Sequence, residues 1–435
     1  MLPTGFVVQR APEDLSQDTF LFDKIWYKCT THTKYCLKLI LKANSDIIKL
    51  KQKNKGVGLM KIYNTFEENT SKLRKLFLKV SNTISKPAAN NMALVVNGTI
   101  NSNSIITDFI AEKMESLKEL KPDSINKRIS RFWNNKNINM ELFYDDLIKH
   151  VLSNFKIKHN NRVYIVIDHT FNRDDFTSIV VTLCIGTQSI PIYFRCFEGV
   201  DDKEAFAIKT IEQALETAAS NFNDAEIIYL ADRWFNDPNI INKITSMCKF
   251  YVIRTKTNIN VSIDNGDTFV SLNTIKPKKS APRYFKNILF SETKKVNCNL
   301  VLSKDSKDPW YLITNFDCNE ALKCYRKRFG GCEFTFKNQK SNGFQLEKTT
   351  TRKLSAFKMR FGITCIAILW MTIIGASYVK NKSHQKVDFY DIRKTKTGKS
   401  FRVISLFSLG MKIYKYYKNS IYNYNLRFDF KLYDI

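Results

Sequence analysis

The chain has 435 residues, 44% of them hydrophobic, which is enough apolar material for a substantial core and excludes an intrinsically disordered chain. Its 69 Lys and Arg residues exceed its 41 Asp and Glu residues, and the formal net charge of +28 favours a polyanionic partner, either nucleic acid or an acidic membrane surface. An AT-rich coding sequence, which enriches Lys, Asn and Ile, would produce the same excess without any ligand.

The chain has ten Cys residues without a CxxC pair and only five His residues, so the spacing of a zinc finger is absent. A disulfide framework is not expected in a chain of this size, and reduced thiols are the simplest interpretation. The first residues, MLPTGFVVQRAPEDL, lack the basic start and apolar run of a signal peptide. We therefore expect a cytoplasmic protein.

Residues 1–157 are predicted to be mainly helical and rich in Lys. The stretch IITDFIAEKMESLKEL is amphipathic and stops at Pro122. A further helix, for which Ser124 is the expected cap, carries basic residues beside aromatic ones: Lys127, Arg128, Arg131, Phe132 and Trp133. Two interpretations stay open, a DNA-binding region and a solvated basic face over an aromatic core contact.

Strand patterns begin at residue 162. The runs RVYIVIDHT, TSIVVTLCIG and SIPIYFRCF predict three consecutive strands. A helix over residues 202–219, the strand EIIYLAD, a helix with Asp237 as cap and Pro238 at its first position, and the strand KFYVIRTK follow. The order βββαβαβ predicts an α/β layer with a mixed sheet.

Residues 257–316 contain several short strand-like runs separated by turn-prone residues, which predicts an inserted β subdomain. Helices are then predicted over residues 318–329 and 333–341, broken at Gly330-Gly331. The uncharged stretch Phe361–Val379 is long enough to span a bilayer. Polar residues within it favour a helix buried in the core over a transmembrane helix.

Three carboxylates form the candidate site. Asp168 and Asp232 each end a predicted strand, where side chains of an α/β sheet meet at one edge, and Glu333 lies on a predicted helix. Taken singly, each acid could be a cap or a turn residue. Together they would bind hard divalent cations, because Mg²⁺ is held by carboxylate and phosphate oxygens. Other acids are expected to cap the helix that follows them: Glu198, Asp201, Asp202 and Glu204.

Cations and aromatic residues surround Glu333 in the stretch YRKRFGGCEFTFKNQK. Lys340 lies two helical turns after Glu333, which predicts the same helix face, and Tyr325 and Arg328 share a face of the preceding helix. An Arg side chain matches phosphate with two parallel hydrogen bonds. This pattern indicates contacts with a phosphodiester backbone.

These motifs together resemble the DDE transposases of bacterial insertion sequences, in particular the cut-and-paste group with the signature Tyr-x2-Arg-x3-Glu-x6-Lys. The resemblance runs from IDHT through LADRWF and YVIRTK to YRKRF, Glu333, Lys340 and SNGFQLEKT, roughly residues 160–380. It implies a ribonuclease-H-like core with a β insertion between the second Asp and the Glu. The domains expected on this basis are a DNA-binding region, a split core, an inserted β subdomain and a basic, aromatic C-terminal segment: residues 1–157, 158–256 with 317–390, 257–316, and 391–435.

The resemblance also implies residue roles. Asp168, Asp232 and Glu333 would hold two Mg²⁺ or Mn²⁺ ions. Tyr325, Arg328 and Lys340 would contact the backbone of the transposon end. Trp310 would stack on a base flipped out during hairpin formation, and a Trp buried in the β insertion is the alternative.

The implied function is a DNA transposase that cleaves transposon ends and joins them to target DNA by metal-dependent hydrolysis and transesterification. Its partners would be double-stranded DNA, both terminal inverted repeats and target, and a second copy of the chain in a homodimer. It would be a prokaryotic, cytoplasmic, nucleoid-associated protein without a membrane segment. The alternatives are a ribonuclease-H-like nuclease without strand transfer and a catalytically inactive DNA-binding relative.

One departure from the signature bears on activity. Four residues, Phe329–Cys332, separate Arg328 from Glu333 where the group has three. On a continuous helix the two side chains would point apart. A break at the Gly330-Gly331 pair can absorb the extra residue, because glycine accepts conformations closed to other residues.

Overall fold

The structure, a computed structural model, describes residues 65–417 with short gaps at 83, 115–116, 118, 154–161, 187, 223–224, 265, 279–280, 305–307, 341–342, 381–388, 390, 395–396, 399 and 404. The helices predicted before residue 65 and the end of the basic, aromatic segment after residue 417 lie outside the described residues. The eight Cys residues of the described part are free thiols, which confirms the expectation for those eight.

Among the described residues, five helices precede the first strand: α1 Thr65–Val80, α2 Lys86–Ser102, α3 Thr107–Glu112, α4 Pro122–Trp133 and α5 Met140–Leu152. Ser85 caps the start of helix α2, and its hydroxyl accepts a hydrogen bond from the backbone N–H of Ala88 at 3.3 Å. Helix α4 begins at Pro122, so the expected cap at Ser124 is wrong. Its aromatic residues Phe132 and Trp133 are buried, as a helix packing one face on a core requires.

Ten strands form one mixed sheet in the order β3-β2-β1-β4-β5-β10-β9-β8-β6-β7. Strand β1 pairs parallel with β4, and β4 with β5; the other neighbours are antiparallel. The strands are β1 Arg162–Asn172, β2 Phe176–Ile185, β3 Gln188–Glu198, β4 Glu226–Ala231, β5 Phe250–Arg254, β6 Asn260–Ser262, β7 Val270–Ser271, β8 Arg283–Phe290, β9 Val296–Ser303 and β10 Trp310–Thr314.

In the described part of the chain, six more helices surround the sheet or follow it: α6 Ile208–Ala219, α7 Pro238–Ser246, α8 Cys318–Gly330, α9 Cys332–Gln339, α10 Leu354–Lys380 and α11 Leu406–Tyr417. The order β1β2β3α6β4α7β5 confirms the predicted βββαβαβ pattern. Asp237 caps α7 by accepting a hydrogen bond from the N–H of Asn239 at 2.8 Å, and Pro238 follows it, both as predicted. A small hairpin, β11 Asp391–Lys394 with β12 Ser400–Val403, lies between α10 and α11.

The centre of the sheet is buried on both faces because successive side chains of a strand point to opposite sides. On β1, Ile165 and Ile167 belong to the larger apolar core, while Val166 belongs to a second core that includes side chains of α8. This double burial explains why the central strands are almost uniformly apolar in sequence.

The strands predicted between residues 257 and 316 are present, and they extend the sheet through β10. Strand β10 pairs with β5 through Ile313 and Ile253 on one side and with β9 on the other. The boundaries of the inserted subdomain, like the other domain boundaries, stay predictions.

Helix α10 contains the uncharged stretch. Within the described residues it is the one helix long and apolar enough to cross a membrane by length and composition. Most of its side chains are buried, and it packs on β3, α2 and α11. Phe357 of α10 stacks on Phe176 of β2 with ring centroids 4.3 Å apart. The prediction of a helix buried in the core is confirmed, and the absence of a membrane segment stays a prediction.

Candidate active site

Asp168 lies where β1 leaves its parallel neighbour. The pairing of β1 with β4 ends at Ile167 opposite Ala231, and Asp168 is the next residue. Strand β1 itself continues to Asn172 because it still pairs with β2, so the expectation that Asp168 ends its strand is wrong. The side chain nevertheless lies at the edge of the parallel part of the sheet, where ligands bind in such folds.

Asp232 lies directly after β4, on the neighbouring strand of the same edge. One carboxylate oxygen accepts a hydrogen bond from the backbone N–H of Arg233 and caps the short 3-10 helix Arg233–Phe235. Oδ1 makes this cap, while Oδ2 accepts a hydrogen bond from Arg328. The residue is therefore both a cap and a member of the site.

The break between α8 and α9 occurs at Gly331. Its backbone lies so close to β1 that a Cβ there would be 2.6 Å from Cγ2 of Val166, which only glycine avoids. The hydroxyl of Ser189 donates a hydrogen bond to the Gly331 carbonyl at 2.6 Å. Glu333 therefore lies in the first turn of a separate helix, and its side chain is 51% exposed.

Arg328 joins the three acids. Its Nη2 donates to Oδ2 of Asp168 at 2.7 Å and to Oδ2 of Asp232 at 3.3 Å, and its Nη1 donates to Oε1 of Glu333 at 3.3 Å. The side chain of Arg328 is only 8% exposed. Residues from β1, the end of β4, α8 and α9 thus meet around one positive charge, and the extra residue before Glu333 does not separate the Arg from the Glu.

Burial dominates the electrostatics of the site. It raises the pKa of Asp168 to about 6, although Arg328 acts in the opposite direction and the neighbouring Asp232 adds to the rise. Burial lowers the pKa of Arg328, but the attraction of Asp168, Tyr325 and Asp232 outweighs it, and the net direction is upward. The guanidinium therefore keeps its charge and offsets part of the repulsion among the acids.

Two predicted DNA contacts are buried. Tyr325 lies in the second core, where burial raises its pKa to about 12. Trp310 is 7% exposed and packs edge-on against Tyr325, with ring centroids 5.2 Å apart, and nearly parallel to Phe329 at 5.8 Å. This packing matches the alternative of a Trp buried in the β insertion. The DNA roles of both residues stay predictions, and neither side chain reaches the surface in this conformation.

Lys340 is the C-cap of α9 and directly follows its last residue, Gln339. Its ammonium donates a hydrogen bond to the carbonyl of Phe171 at 2.8 Å and pairs with Glu347 at 3.2 Å. The helix ends at Gln339, before the predicted residue 341, but the backbone N–H of Lys340 still donates a hydrogen bond to the carbonyl of Phe336 at 2.9 Å. That Lys340 shares a helix face with Glu333 stays a prediction. Lys340 ties α9 to the end of β1, and its contact with DNA stays a prediction.

The acidic cluster expected to cap α6 includes Asp202, which turns the chain before that helix. Its Oδ1 accepts hydrogen bonds from the N–H groups of Glu204 at 2.8 Å and Ala205 at 3.1 Å. Asp202 therefore stabilises a turn in its own loop. Helix α6 begins only at Ile208, and its N-cap residue Ala207 makes no side-chain cap hydrogen bond, so the predicted capping of α6 by the acidic residues is wrong.

Sequence reasoning did not single out the aromatic residues beside the carboxylates. His169 follows Asp168, stacks on Phe235 at 4.9 Å, and contacts the carbonyl of Ala205 at 3.0 Å. Burial lowers the pKa of His169 to about 4, so the ring is neutral at physiological pH. Trp234, two residues after Asp232, is exposed. In the sequence, the signal was the position of Trp234 in the motif LADRWF, two residues after the candidate ligand Asp232.

The donor chemistry of the three acids fits a hard divalent cation, because each contributes carboxylate oxygens and all three approach one positive charge. Among residues 65–417, outside the gaps, no group of three or more His, Cys, Asp or Glu side chains stands ready to hold a metal ion. Arg328 would have to leave the carboxylates before a metal ion could contact all three.

Residues 176–370 match the family model of the transposase DDE domain, a range that contains Asp232, Arg328 and Glu333 and begins after Asp168. This match supports a DDE transposase. No curated protein matches the chain. Among solved structures, the chain is similar to one from the cryo-EM structure of the piggyBac transposase synaptic complex with hairpin DNA, at 12% identity, with coverage of 82% of this chain and 80% of that chain and a TM-score of 0.42.

Proposed function

We propose that the protein is a DNA transposase that cleaves transposon ends and joins them to target DNA. One observation carries the proposal: Arg328 contacts Asp168, Asp232 and Glu333 at once, within 2.7–3.3 Å, in a chain whose residues 176–370 match the transposase DDE domain. Helix capping and strand pairing do not require three acidic residues to meet at the end of the parallel strands β1 and β4.

Asp168, Asp232 and Glu333 would hold Mg²⁺ or Mn²⁺, two ions in the proposed active complex. When bound, such ions activate the attacking oxygen and stabilise the leaving 3′ oxygen of a phosphodiester. Arg328 keeps the three carboxylates close together against their mutual repulsion. The two parallel N–H donors of its guanidinium also match a phosphate group. Arg328 can therefore bind a DNA phosphate when the carboxylates bind metal ions instead.

The reaction has two steps that need no energy-carrying cofactor. In the first, water attacks the phosphorus at the transposon end, a P–O bond to water forms, and the bond to the 3′ oxygen breaks. In the second, the freed 3′-OH attacks a phosphodiester of the target and displaces another oxygen. Each step exchanges one P–O bond for another. The support for a hairpin intermediate is the resemblance to DDE transposases alone.

Several finer features belong to the same proposal. We assign β3-β2-β1-β4-β5 to a ribonuclease-H-like core, because this part has three antiparallel strands followed by two parallel ones. The order Tyr325, Arg328, Glu333 and Lys340 supports the bacterial insertion-sequence group, although one residue more separates Arg328 from Glu333 than in the signature of that group. A homodimer would pair the two ends in the prokaryotic cytoplasm, near the nucleoid.

The test uses the full-length protein and a plasmid with the DNA that flanks this reading frame on both sides of a marker. We expect Mg²⁺-dependent nicks at the 3′ ends of imperfect inverted repeats, and transfer of a precut end into a second plasmid. Asp168→Ala should abolish both reactions. Nicking that survives Asp168→Ala would overturn the assigned site.

The alternatives give different outcomes in the same experiment. Metal-dependent nicking without transfer of a precut end would indicate a ribonuclease-H-like nuclease. Binding of the flanking DNA without any cleavage would indicate a catalytically inactive relative. Either result contradicts the proposed transposase.

A further inference from the structure

Trp234 is the most exposed large apolar side chain among the described residues, with 67% of its surface accessible. It belongs to the 3-10 turn Arg233–Phe235 that Asp232 caps. The turn holds Phe235 in the core and directs the neighbouring indole outward. Because the exposed indole gains little burial within the chain, core packing does not explain it.

An aromatic row continues from Trp234 to the other carboxylate-bearing strand. The ring centroid of Phe206 is 6.4 Å from Trp234 and 4.5 Å from His169, the residue after Asp168. Phe171, exposed at the end of β1, lies 6.5 Å from Phe206 in a nearly parallel orientation. The row therefore spans the same edge of the sheet as Asp168 and Asp232.

Positive charge accompanies the exposed ring. The ammonium of the exposed Lys256 lies 5.1 Å from the centroid of the Trp234 ring, and Arg233 is exposed beside it. A cation over an aromatic face is itself stabilising. Aromatic faces with adjacent Lys or Arg are also the surface that binds single-stranded nucleic acid, where bases stack on rings and cations neutralise phosphates.

We propose that Trp234 stacks on an unpaired base of the DNA strand whose backbone lies at the carboxylates, and that Lys256 contacts the phosphate next to that base. The inference rests on the proposed function, and it gives the stacking role to Trp234 because Trp310 is buried. Phe206 lies beside the indole, with ring centroids 6.4 Å apart. The partner is thus a locally unpaired DNA strand.

Binding of single-stranded DNA tests the inference without catalysis. The probes are a dye-labelled oligothymidine of about twelve nucleotides and the same oligonucleotide with abasic sites, which keeps the phosphates but removes the bases. Titrations in EDTA compare the full-length wild type with Trp234→Ala and Trp234→Phe. Leu142→Ala is the matched control, because Leu142 is also a large exposed residue, 57% accessible, on helix α5.

We expect the wild type to prefer the oligothymidine by about tenfold, in the range that base stacking on one aromatic residue provides. Trp234→Ala should lose most of this preference, while Trp234→Phe and Leu142→Ala should keep it. The wild-type indole emission should fall on binding, and Trp234→Phe should show a smaller fall. Lys256→Gln should weaken the binding of both oligonucleotides to a similar degree, because both keep the phosphates.

Three outcomes would overturn the inference. A wild type without preference for bases excludes stacking, and so does Trp234→Ala with its preference intact. A change of oligomeric state in Trp234→Ala, with the preference unchanged, would assign the exposed ring to an interface between copies. If the affinity depends on the bases but the flanking DNA is not cleaved, base stacking on Trp234 is supported and only the proposed transposase activity is rejected.

Discussion

The missing side chain of Gly331 places Glu333 beside Asp168. A Cβ at Gly331 would be 2.6 Å from Cγ2 of Val166 and 3.0 Å from the carbonyl oxygen of Arg328. Val166 is two residues before Asp168 on β1, and Gly331 is two residues before Glu333. The close approach of these two backbones therefore sets the distance between two of the three carboxylates.

Gly331→Ala should push α9 away from β1. We expect a decrease of about 1–3 kcal/mol in the free energy of unfolding, the usual cost of adding a methylene to a packed core, measured by urea denaturation. Nicking of flanking DNA should fall more than stability, because Glu333 moves with its helix. Gly330→Ala is the control, since Gly330 ends α8 and alanine favours helix. Equal effects of the two substitutions would contradict the role of the close approach.

Arg328→Ala should leave Asp168 and Asp232 without their buried counter-charge. Removing one partner of a buried ion pair costs about 3–5 kcal/mol, so the free energy of unfolding should fall by that order. Mg²⁺ should then raise the melting temperature of Arg328→Ala more than that of the wild type, because no guanidinium competes for the carboxylates. Thermal unfolding with MgCl₂ or with EDTA measures the difference.

Arg328→Lys is the matched variant for this prediction. It keeps a positive charge but loses the fork that reaches three carboxylates. We expect its stability and its response to Mg²⁺ to lie between those of the wild type and Arg328→Ala. An equal response to Mg²⁺ in all three proteins would show that the guanidinium and the metal do not share one site.

Local patterns in the sequence predict much of the fold but not the centre of the site. The order of strands and helices along the chain and the α8–α9 pair follow from short apolar runs and from the glycines at residues 330–331. The contact of Arg328 with all three acids does not follow, because it depends on the packing of Gly331 against Val166, two residues far apart in sequence. Local spacing on one helix cannot encode such a contact.

The two Trp residues show a related limit. A sheet covered on both faces has apolar residues at nearly every position, so the sequence does not tell which aromatic side chain is left outside. Trp310 lies on a strand and is buried beneath α8, whereas Trp234 lies on a tight turn and is exposed. The packing of α8 on the sheet is what buries Trp310 and leaves Trp234 exposed.

Asp168→Asn should remove activity and preserve the fold. Loss of a metal ligand removes several kcal/mol of transition-state stabilisation, a decrease in nicking rate of on the order of a hundredfold or more. Burial disfavours the charged form of Asp168, so a neutral amide should fold at least as well. Rates of plasmid nicking and urea denaturation check the two parts. Asp202→Asn makes the same chemical change in a turn outside the site and should retain activity; a parallel loss there would indicate a general effect of charge.

Trp310→Ala should act through stability. Truncating a buried aromatic side chain costs about 3–5 kcal/mol, and here it removes the contacts with Tyr325 and Phe329. The exposed Trp234→Ala should change the free energy of unfolding by less than about 0.5 kcal/mol, as is usual for surface sites. Denaturation of both variants gives these values, and binding to oligothymidine and its abasic counterpart is measured at a temperature where both remain folded. If Trp310→Ala is as stable as the wild type and loses the preference for bases, Trp310 is the stacking residue in solution, and α8 must move to expose it.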